Sequence, residues 1–416
     1  MKNAVRRNFS HPRNHQKQKW LWIIVAGVLI LCFMAASLAI TIMPAIDPSL
    51  GAETADVLRA IVGPRPVALL ESVSFKLQDQ LNQLRSTMDG GKALITFSQP
   101  STQVPSSSPS VSPTSALPIT TVQPTSTPSP IPQVTPTSVT SVVTDAPQIG
   151  WQAYGPNANG TPTMAQAMIL LDPQRSYTGV ALVRMDLSKL QLHIMPGMIE
   201  PSHPSGIAQA IPSLGMIPAS DQTTLTAAFN GGFKGIHGHY GMMVNGFTLL
   251  PPLPGLATVA IYRDGHVEIG AWGKEINPSN DMIAFRQNCP LLIENGQVNP
   301  ALSLNNRTAW GNTGNTDITW RTGIGITQDG RYLIYAVGNG TSAESLADAF
   351  LQAGAYDAMQ LDINQFYAHF YTYQPSSPET SGGFDLTGQR LLDQMINNPH
   401  LYLTPNVRDF FYLTAR

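Results

Sequence analysis

The sequence predicts an α+β fold, in which a mixed or antiparallel sheet domain with few helices follows a single transmembrane helix and a disordered stalk. Three observations support this prediction. Residues 20–43 carry no charge, residues 98–147 are dominated by Ser, Thr and Pro, and residues 150–416 alternate short apolar runs with turn signals. Strands combined with only one or two packed helices are typical of α+β domains.

The first 19 residues carry six Lys and Arg side chains and no acid, and the 24 residues that follow are uncharged. About 20 apolar residues suffice for a membrane-spanning helix, whereas the apolar core of a cleaved signal peptide usually has about 7–15. We therefore predict a basic cytoplasmic tail (1–19) and an uncleaved signal anchor (20–43). Small residues near Ala35 and Ala39 leave cleavage open. By the positive-inside rule, the remaining chain lies outside the cell membrane.

Residues 44–97 are predicted to form a membrane-proximal segment with a short helix at 67–88. Its apolar residues recur at helical spacing: Leu70, Val73, Leu77, Leu81, Leu84 and Met88. This stripe is compatible with a short coiled coil or with a solvated helix near the membrane. In the linker (98–147), 32 of the 47 residues from 98 to 144 are Ser, Thr or Pro and none of the 47 is charged. Such a chain cannot bury enough apolar area to fold, so we expect an extended stalk.

Residues 150–416 are long enough for one large domain with a substantial core. Residues 180–194 alternate and predict a strand. Two Asp-Gly turns, at 264–265 and 329–330, predict hairpins over 258–269 and 322–337. A helix is predicted over 342–354, because its apolar residues share one face and Gly354 follows them. A short strand at 358–362 then ends in the carboxylate of Asp362.

Charge and cysteine content narrow the functional classes. The exterior domain has 13 basic and 19 acidic residues, a formal charge of −6, which argues against nucleic acid as a partner. The two cysteines are Cys32, inside the predicted span, and Cys289, which we expect to be a small buried residue. The sequence has no Walker motif, no G-x-S-x-G elbow, no H-E-x-x-H pair and no zinc-type cysteine spacing. We predict no cofactor and no metal site, with a divalent cation left open.

The most informative stretch for ligand binding is Asn230-Gly231-Gly232-Phe233, which ends an apolar run. Paired glycines let a backbone approach a ligand closely, and an asparagine offers both a donor and an acceptor. A plain hairpin turn is the alternative. His237 and His239 follow, and would share one face of the chain if it is extended. They are candidates for acid–base groups or a metal pair, or are solvated loop histidines.

Four blocks of the exterior domain resemble the phosphodiester glycosidase family. In chain order they are 180–187, 227–233 with 243–246, 286–300, and 321–331 continued through the predicted helix to 354–362. The resemblance covers roughly 180 residues and implies a hydrolase that cleaves sugar-1-phosphate diesters. In the family, a glycine loop Asp-Gly-Gly-Gly-Ser-Ser follows the last block. Here Asp362 is followed by Ile-Asn-Gln-Phe-Tyr, so side chains occupy space that glycines leave open.

The resemblance implies catalytic roles for Asp362 and Arg321. Asp362 would act as nucleophile, base or electrostatic stabiliser, with capping of the next turn as its structural alternative. Arg321 has the fork geometry that suits a phosphate, with a structural ion pair as its alternative. The substrate-binding candidates are Asn230, Gly231, Gly232, Phe233, His237, His239 and Asn364.

Together these features predict a single-pass membrane protein with an extracytoplasmic hydrolase domain. Its partner would be a cell-surface carbohydrate or glycosyl phosphodiester, such as an exopolysaccharide or glycoconjugate. The alternative is a non-catalytic wall-polysaccharide-binding module on the same fold, which the altered loop after Asp362 favours. The loop aromatics are candidates for a sugar-stacking platform or for plain core: Phe366, Tyr367, Phe370 and Tyr371.

Overall fold

The computed structural model describes residues 57–61, 63–91, 93–99, 149–158, 161–171, 175, 177–202, 211–302, 309–311, 318–376 and 383–416. The predicted tail and span (1–43) and the linker from 100 to 147 lie outside these residues. No helix in the described part of the chain is both long enough and apolar enough to cross a membrane. The membrane anchor and the stalk therefore stay predictions.

Three α-helices lie entirely within the described residues: α1 (Pro64–Met88), α2 (Ala219–Gln222) and α3 (Ala343–Gln352). Residues 57–61 are also helical. Short 3₁₀ turns lie at Gly235–His237 and Pro300–Leu302. The predicted helices at 67–88 and 342–354 are both confirmed. The first begins three residues earlier than predicted, because proline is well tolerated in the first turn of a helix. The second is capped by Ser342, whose hydroxyl accepts a 3.0 Å hydrogen bond from the Ser345 N–H.

Eighteen strands are seen in the described segments, and every pairing between them is antiparallel. In chain order they are β1 (Gln152–Ala158), β2 (Thr161–Ile169), β3 (Val180–Asp186), β4 (Leu190–Met195), β5 (Leu225–Asn230), β6 (Met242–Val244), β7 (Phe247–Leu250), β8 (Ala257–Tyr262), β9 (Val267–Ala271), β10 (Met282–Gln287), β11 (Leu291–Glu294), β12 (Gln297–Val298), β13 (Thr319–Ile326), β14 (Tyr332–Thr341), β15 (Asp357–Gln360), β16 (Phe370–Pro375), β17 (Leu386–Arg390) and β18 (Phe410–Ala415).

These strands form three sheets. The first sheet has the order β1-β2-β3-β14-β13-β15-β11-β12, the second β7-β6-β10-β8-β9, and the third β17-β16-β5-β18-β4. The two predicted hairpins are confirmed as β8–β9 and β13–β14, with the Asp-Gly turns between their strands. The prediction of a sheet-rich domain with few helices is also confirmed.

Strand β3 shows where the simple strand pattern fails. The sequence predicts an alternating strand from residue 180, but almost every β3 side chain is buried. Ala181, Val183 and Met185 belong to the main core. Val180 and Leu182 belong to a second core, which also contains the apolar face of α3. A strand with a core on each side has no polar face, so its sequence does not alternate.

The helix α1 packs on the domain through polar residues. Asp79 accepts a 3.0 Å hydrogen bond from Arg175, and Asn82 and Ser86 are buried. The apolar residues of the predicted stripe instead include several that are more than half exposed: Val73, Leu77, Leu81, Leu84 and Met88.

Residues 93–98 join the domain before the Ser/Thr/Pro-rich linker begins. Ile95 is buried in the main core, the Leu94 N–H donates to the Tyr177 carbonyl at 2.8 Å, and Phe97 forms an antiparallel bridge with Leu392. The described residues before 99 and those from 149 onward therefore belong to one compact unit.

The contact between α3 and the first sheet depends on a glycine in β13. A Cβ atom at Gly323 would lie 2.6 Å from the Met359 carbonyl oxygen and 2.9 Å from the Phe350 ring. We predict that Gly323→Ala lowers the free energy of unfolding by about 1–3 kcal/mol, because the backbone and ring must move apart. Urea denaturation of the purified chain, followed by tryptophan fluorescence, measures this change.

Gly150→Ala is the matched control, since a Cβ atom there has nothing within 4 Å. We expect it to change stability by no more than about 0.5 kcal/mol. Equal effects of the two substitutions would contradict the packing explanation.

Candidate active site

One small pocket lies where strand ends from different parts of the chain meet. Strand β5 ends at Asn230, Asp362 follows β15 by two residues, and Asp409 immediately precedes β18. The cavity has a volume of about 10 Å³, which is room for about one water molecule. The residues that line it are Asn230, Gly231, Gly232, Asp362, Tyr367, His369, Tyr402, Asn406, Arg408 and Asp409.

Two charged side chains of the pocket, Arg408 and Asp362, form an ion pair. The Arg408 Nη2 atom lies 2.5 Å from Asp362 Oδ2, and both side chains are almost fully buried. The same nitrogen donates to the Gly232 carbonyl at 3.0 Å, and the Tyr367 ring covers the guanidinium at 4.5 Å from its centroid. Asp362 Oδ1 accepts from the Asn364 N–H at 2.9 Å. Asp362 thus caps its own turn and also binds a buried cation.

Arg408 retains unused hydrogen-bonding capacity. Burial opposes its charge, but the Asp362 and Asp409 carboxylates outweigh that effect and raise the pKa of Arg408 above its ordinary value. Its buried Nε–H has no hydrogen-bond partner among the described residues. A buried donor without a partner costs about 1–3 kcal/mol, so this N–H is a natural place for a ligand acceptor.

A second buried ion pair lies beside the first. Arg286 binds Asp409 with two hydrogen bonds, Nε to Oδ2 at 2.8 Å and Nη2 to Oδ1 at 3.2 Å. Its other donors reach the carbonyls of Phe233, Gln287 and Tyr240 at 2.7, 2.9 and 3.2 Å. Both side chains are fully buried. The guanidinium therefore fixes the backbone that follows β5.

The two glycines after Asn230 are explained by this pair. A Cβ atom at Gly231 would lie 2.1 Å from Asp409 Oδ2, and one at Gly232 would lie 3.1 Å from the guanidinium carbon of Arg286. The Gly232 N–H also donates to Asp409 Oδ2 at 3.2 Å. Neither glycine has a positive φ, so what requires them is the close approach of the Asp409 carboxylate to Gly231 and of the Arg286 guanidinium to Gly232.

Asn230 is fully occupied by protein partners. Its Nδ2 donates to the Gly231 carbonyl at 3.0 Å and to Thr322 Oγ1 at 2.9 Å. Its Oδ1 accepts from the Tyr335 hydroxyl at 3.0 Å and from the His369 N–H at 3.3 Å. Since a side-chain amide has two donors and about two acceptor sites, no capacity is left over. Asn230 lines the pocket, and these contacts give it a positioning role.

Thr322 connects Asn230 to the candidate catalytic carboxylate. Its hydroxyl accepts from the Asn230 amide and donates to the Asp362 carbonyl at 2.6 Å. The Asp362 N–H in turn donates to the Gly231 carbonyl at 3.2 Å. The Asn-Gly-Gly segment and Asp362, far apart in sequence, are thus held together by hydrogen bonds.

His369 is the histidine that lines the pocket. Burial disfavours its charged form and lowers the pKa of His369 to about 4, so the ring is neutral near pH 7. Its Nε2 atom has no partner within the described part of the chain. The ring lies edge-on to Tyr402 and Tyr371, with centroids 6.4 and 6.3 Å away.

Arg321 lies outside the pocket lining. It is fully buried, and donates to the carbonyls of Trp310 (2.8 Å) and Thr341 (3.1 Å) and to the side-chain oxygen of Gln360 (2.6 Å). Gln360 ends β15, so Arg321 supports the strand that leads to Asp362. Its catalytic role stays a prediction.

Four other predicted binding residues do not line the pocket: Phe233, His237, His239 and Asn364. The premise that the two histidines share a strand face is wrong, because residues 235–237 form a 3₁₀ turn and His239 has a φ of 53°. Both histidines are exposed. The Phe233 side chain packs against Tyr240, and Asn364 forms part of the turn after Asp362.

Several residues of the pocket region were missed by the sequence analysis. Arg286 opens the third family-like block but was not singled out. Arg408 and Asp409 lie outside the family-like blocks; the signal that identifies them is an adjacent pair of opposite charges directly before a largely apolar strand. His369 and Tyr402 have no comparable signal in sequence.

Other chemistry of the domain is limited. Cys289 is buried as expected, and burial raises the pKa of its thiol to about 11. No group of three or more His, Cys, Asp or Glu residues that could hold a metal ion occurs among the residues described above.

Residues 223–362 match the family model described as phosphodiester glycosidase. The match runs from the start of β5 through Asp362 and confirms the resemblance over this segment, while Arg408 and Asp409 lie beyond it. No curated protein matches the chain.

Three solved structures resemble this chain. The catalytic domain of zebrafish N-acetylglucosamine-1-phosphodiester alpha-N-acetylglucosaminidase, auto-inhibited by its pro-peptide, is 14% identical over 64% of this chain and 87% of that one, with a TM-score of 0.39. A hypothetical protein from Synechocystis is 12% identical over 65% of this chain and 64% of that one, with a TM-score of 0.33. A putative exported protein from Burkholderia pseudomallei is 10% identical over 62% and 75%, with a TM-score of 0.30.

The buried Arg286–Asp409 pair predicts a large effect on stability. Arg286→Met leaves the Asp409 carboxylate buried without its cation, and we expect the free energy of unfolding to fall by about 3–5 kcal/mol. Arg331→Met is the control, since that arginine pairs with Asp186 while half exposed, and should cost far less than Arg286→Met. Urea denaturation of both variants tests this; equal losses would contradict it.

The depressed pKa of His369 predicts a pH-dependent stability. Below pH 6.5 the unfolded chain takes up a proton on this residue that the folded protein does not accept until about pH 4. Stability should therefore fall by about 3 kcal/mol as the pH drops through this window. His369→Leu should flatten the slope in urea denaturation series, with a residual slope from groups such as His193, whose pKa burial also lowers. Parallel profiles for the two proteins would contradict this assignment.

Proposed function

We propose that this domain is a phosphodiester glycosidase that hydrolyses the bond between the anomeric carbon of a sugar and a phosphodiester oxygen. The observation that carries the proposal is the buried Asp362–Arg408 pair beside a pocket, with a donor of Arg408 left without a protein partner. The family match over residues 223–362 supports the reaction class. The proposed substrate is a glycosyl phosphodiester of a cell-surface polysaccharide or glycoconjugate.

The reaction requires a carboxylate and a cation at adjacent positions. Water adds to the anomeric carbon, the C1–O bond breaks, and a phosphate monoester leaves with the electron pair. A carboxylate stabilises the developing positive charge on the sugar or attacks it, and a fixed cation stabilises the phosphate. We assign the first role to Asp362 and the second to Arg408.

Asp362 is favoured over Asp409 because of their different partners. Both oxygens of Asp409 are bound by Arg286, and one of them also accepts from the Gly232 N–H. Asp362 is bound by one nitrogen of Arg408 and by the Asn364 N–H. These contacts orient the Asp362 carboxylate before substrate binds. Its ionic partner, Arg408, is the same group that we propose for binding the phosphate.

Arg408 suits a phosphate because its guanidinium offers several donors in a fixed plane. Its Nη2 is committed to Asp362 and Gly232, while the Nε–H is without a partner in the regions described. A phosphoryl oxygen that accepts from Nε would satisfy this donor. We propose a supporting role for Arg321, which acts through Gln360 on the strand that carries Asp362.

We also propose that residues 20–43 anchor the chain in the cell membrane, with residues 1–19 in the cytoplasm and the domain outside. The uncharged length of this segment and the six basic residues before it support that orientation. A substrate at the cell surface fits this location.

A non-catalytic polysaccharide-binding module is the second candidate. It is favoured by the loop after Asp362, in which Tyr367 covers Arg408 and leaves a cavity with room for about one water molecule. A sugar phosphodiester is far larger, so Tyr367 has to move before turnover can occur.

Asp362→Asn separates the two candidates. We expect it to reduce sugar release from glycosyl-1-phosphodiesters and teichoic-type polymers by about 100- to 1,000-fold, because the neutral amide cannot stabilise the developing charge. Sugar release by the purified chain, measured across a panel of such substrates, is the test. Asp281→Asn, on an exposed surface loop, is the control and should retain full activity.

The enzyme assignment fails if the wild-type protein releases no sugar from any substrate but binds polymer saturably. That result would leave the binding module.

A further inference from the structure

The pocket contains two buried polar atoms that have no partner in the described residues. Six buried side-chain atoms in these residues lack a hydrogen bond, on Tyr154, Gln166, His369, Ser376, His400 and Arg408. Only two of the six residues line the pocket, namely Arg408 and His369. The proposed phosphate site accounts for the Nε–H of Arg408 and leaves Nε2 of His369 unexplained.

The backbone of His369 has an evident structural role that its side chain does not share. Its N–H donates to Asn230 Oδ1 at 3.3 Å, its carbonyl accepts from the Asn230 N–H at 3.1 Å, and the Tyr335 hydroxyl lies 3.2 Å from the same carbonyl oxygen. Any residue except proline could make these contacts. An apolar side chain of similar size would fill the same space without burying an unsatisfied nitrogen. Stability alone therefore does not explain an imidazole here.

We propose that His369 is a ligand-binding residue whose Nε2 forms a hydrogen bond with a sugar hydroxyl, next to the phosphate held by Arg408. This inference rests on the proposed function for the identity of the ligand. A neutral imidazole nitrogen is a donor or an acceptor, depending on the tautomer, and a hydroxyl group satisfies either form. His369 Nε2 would then bind the sugar and Arg408 Nε the phosphate of the same glycosyl phosphodiester.

The charges around His369 favour a hydroxyl over a second phosphate group. Both carboxylates that line the pocket are paired with a guanidinium: Asp362 with Arg408, and Asp409 with Arg286, which lies just outside the lining. Burial raises the pKa of the neighbouring Tyr371 and Tyr402 hydroxyls, so both are uncharged at neutral pH. Burial lowers the pKa of His369 to about 4, and no carboxylate among the described residues contributes to offset this effect. A neutral ring offers a phosphate no charge, but pairs well with a hydroxyl.

The assignment has a consequence for substrate choice. A site that hydrogen-bonds a particular hydroxyl discriminates strongly against an analogue without it, because a buried polar group is then left unpaired. Among singly deoxygenated methyl glycosyl-1-phosphodiesters, one should therefore be a much poorer substrate than the parent.

The test compares His369→Leu and His369→Gln with the wild-type chain. We expect His369→Leu to lower kcat/KM for the parent phosphodiester about 10- to 100-fold, while its resistance to urea at pH 7 is equal or higher. His369→Gln, whose amide can reach the position of Nε2, should recover most of the activity. The wild type should lose a similar factor on the one sensitive deoxy analogue, and His369→Leu should not distinguish that analogue from the parent.

Binding provides a readout that does not depend on turnover. By calorimetry, His369→Leu should weaken the affinity for glucose 1-phosphate and leave that for inorganic phosphate unchanged. The inference is overturned if His369→Leu is less stable than the wild type and keeps its kcat/KM and its affinity for the sugar phosphate. In that case sugar release by the wild type leaves the proposed function intact. A wild-type protein that neither releases sugar nor binds glucose 1-phosphate overturns both.

Discussion

A fully buried, doubly hydrogen-bonded pair between Arg286 and Asp409 sets the geometry of the whole pocket region. Arg286 belongs to β10 of the second sheet, and Asp409 leads into β18 of the third, so the pair joins two sheets away from water. Removing either partner would leave a buried charge, so each residue depends on the other. The glycines that follow β5 are small because this pair occupies the space where their side chains would begin.

The two ion pairs divide structural and chemical duties between them. Asp409 is saturated by Arg286 and by the Gly232 N–H, so it can hold the sheets together without taking part in binding. Arg408 and Asp362 are each left with one close ionic partner, at the wall of the cavity. Such a separation would allow the pair that we propose for ligand binding to change with the substrate while the supporting pair keeps the fold intact.

The elements predicted correctly from sequence are those that local residues determine. The Asp-Gly hairpins and the helix ended by Gly354 depend on neighbours within a few positions. The prediction of an alternating β3 was wrong because the two cores that bury this strand are formed by segments distant in sequence. In the same way, Asp362 was found in a contiguous motif, whereas its partner Arg408 comes from a segment 46 residues later. The prediction that His237 and His239 share one face was wrong because the chain forms a local turn there and is not extended.

The packing of residues 93–98 against the domain changes the meaning of the Ser/Thr/Pro-rich segment. Because the chain leaves one compact unit at residue 98 and returns to the same unit at 149, the length of that segment does not set the distance between the domain and the proposed anchor. That distance is limited instead by residues 44–63, which lie between the predicted span and α1. Twenty residues reach at most about 70 Å when fully extended. With the proposed anchor, the domain would work in a thin shell next to the bilayer, however long the Ser/Thr/Pro-rich segment becomes.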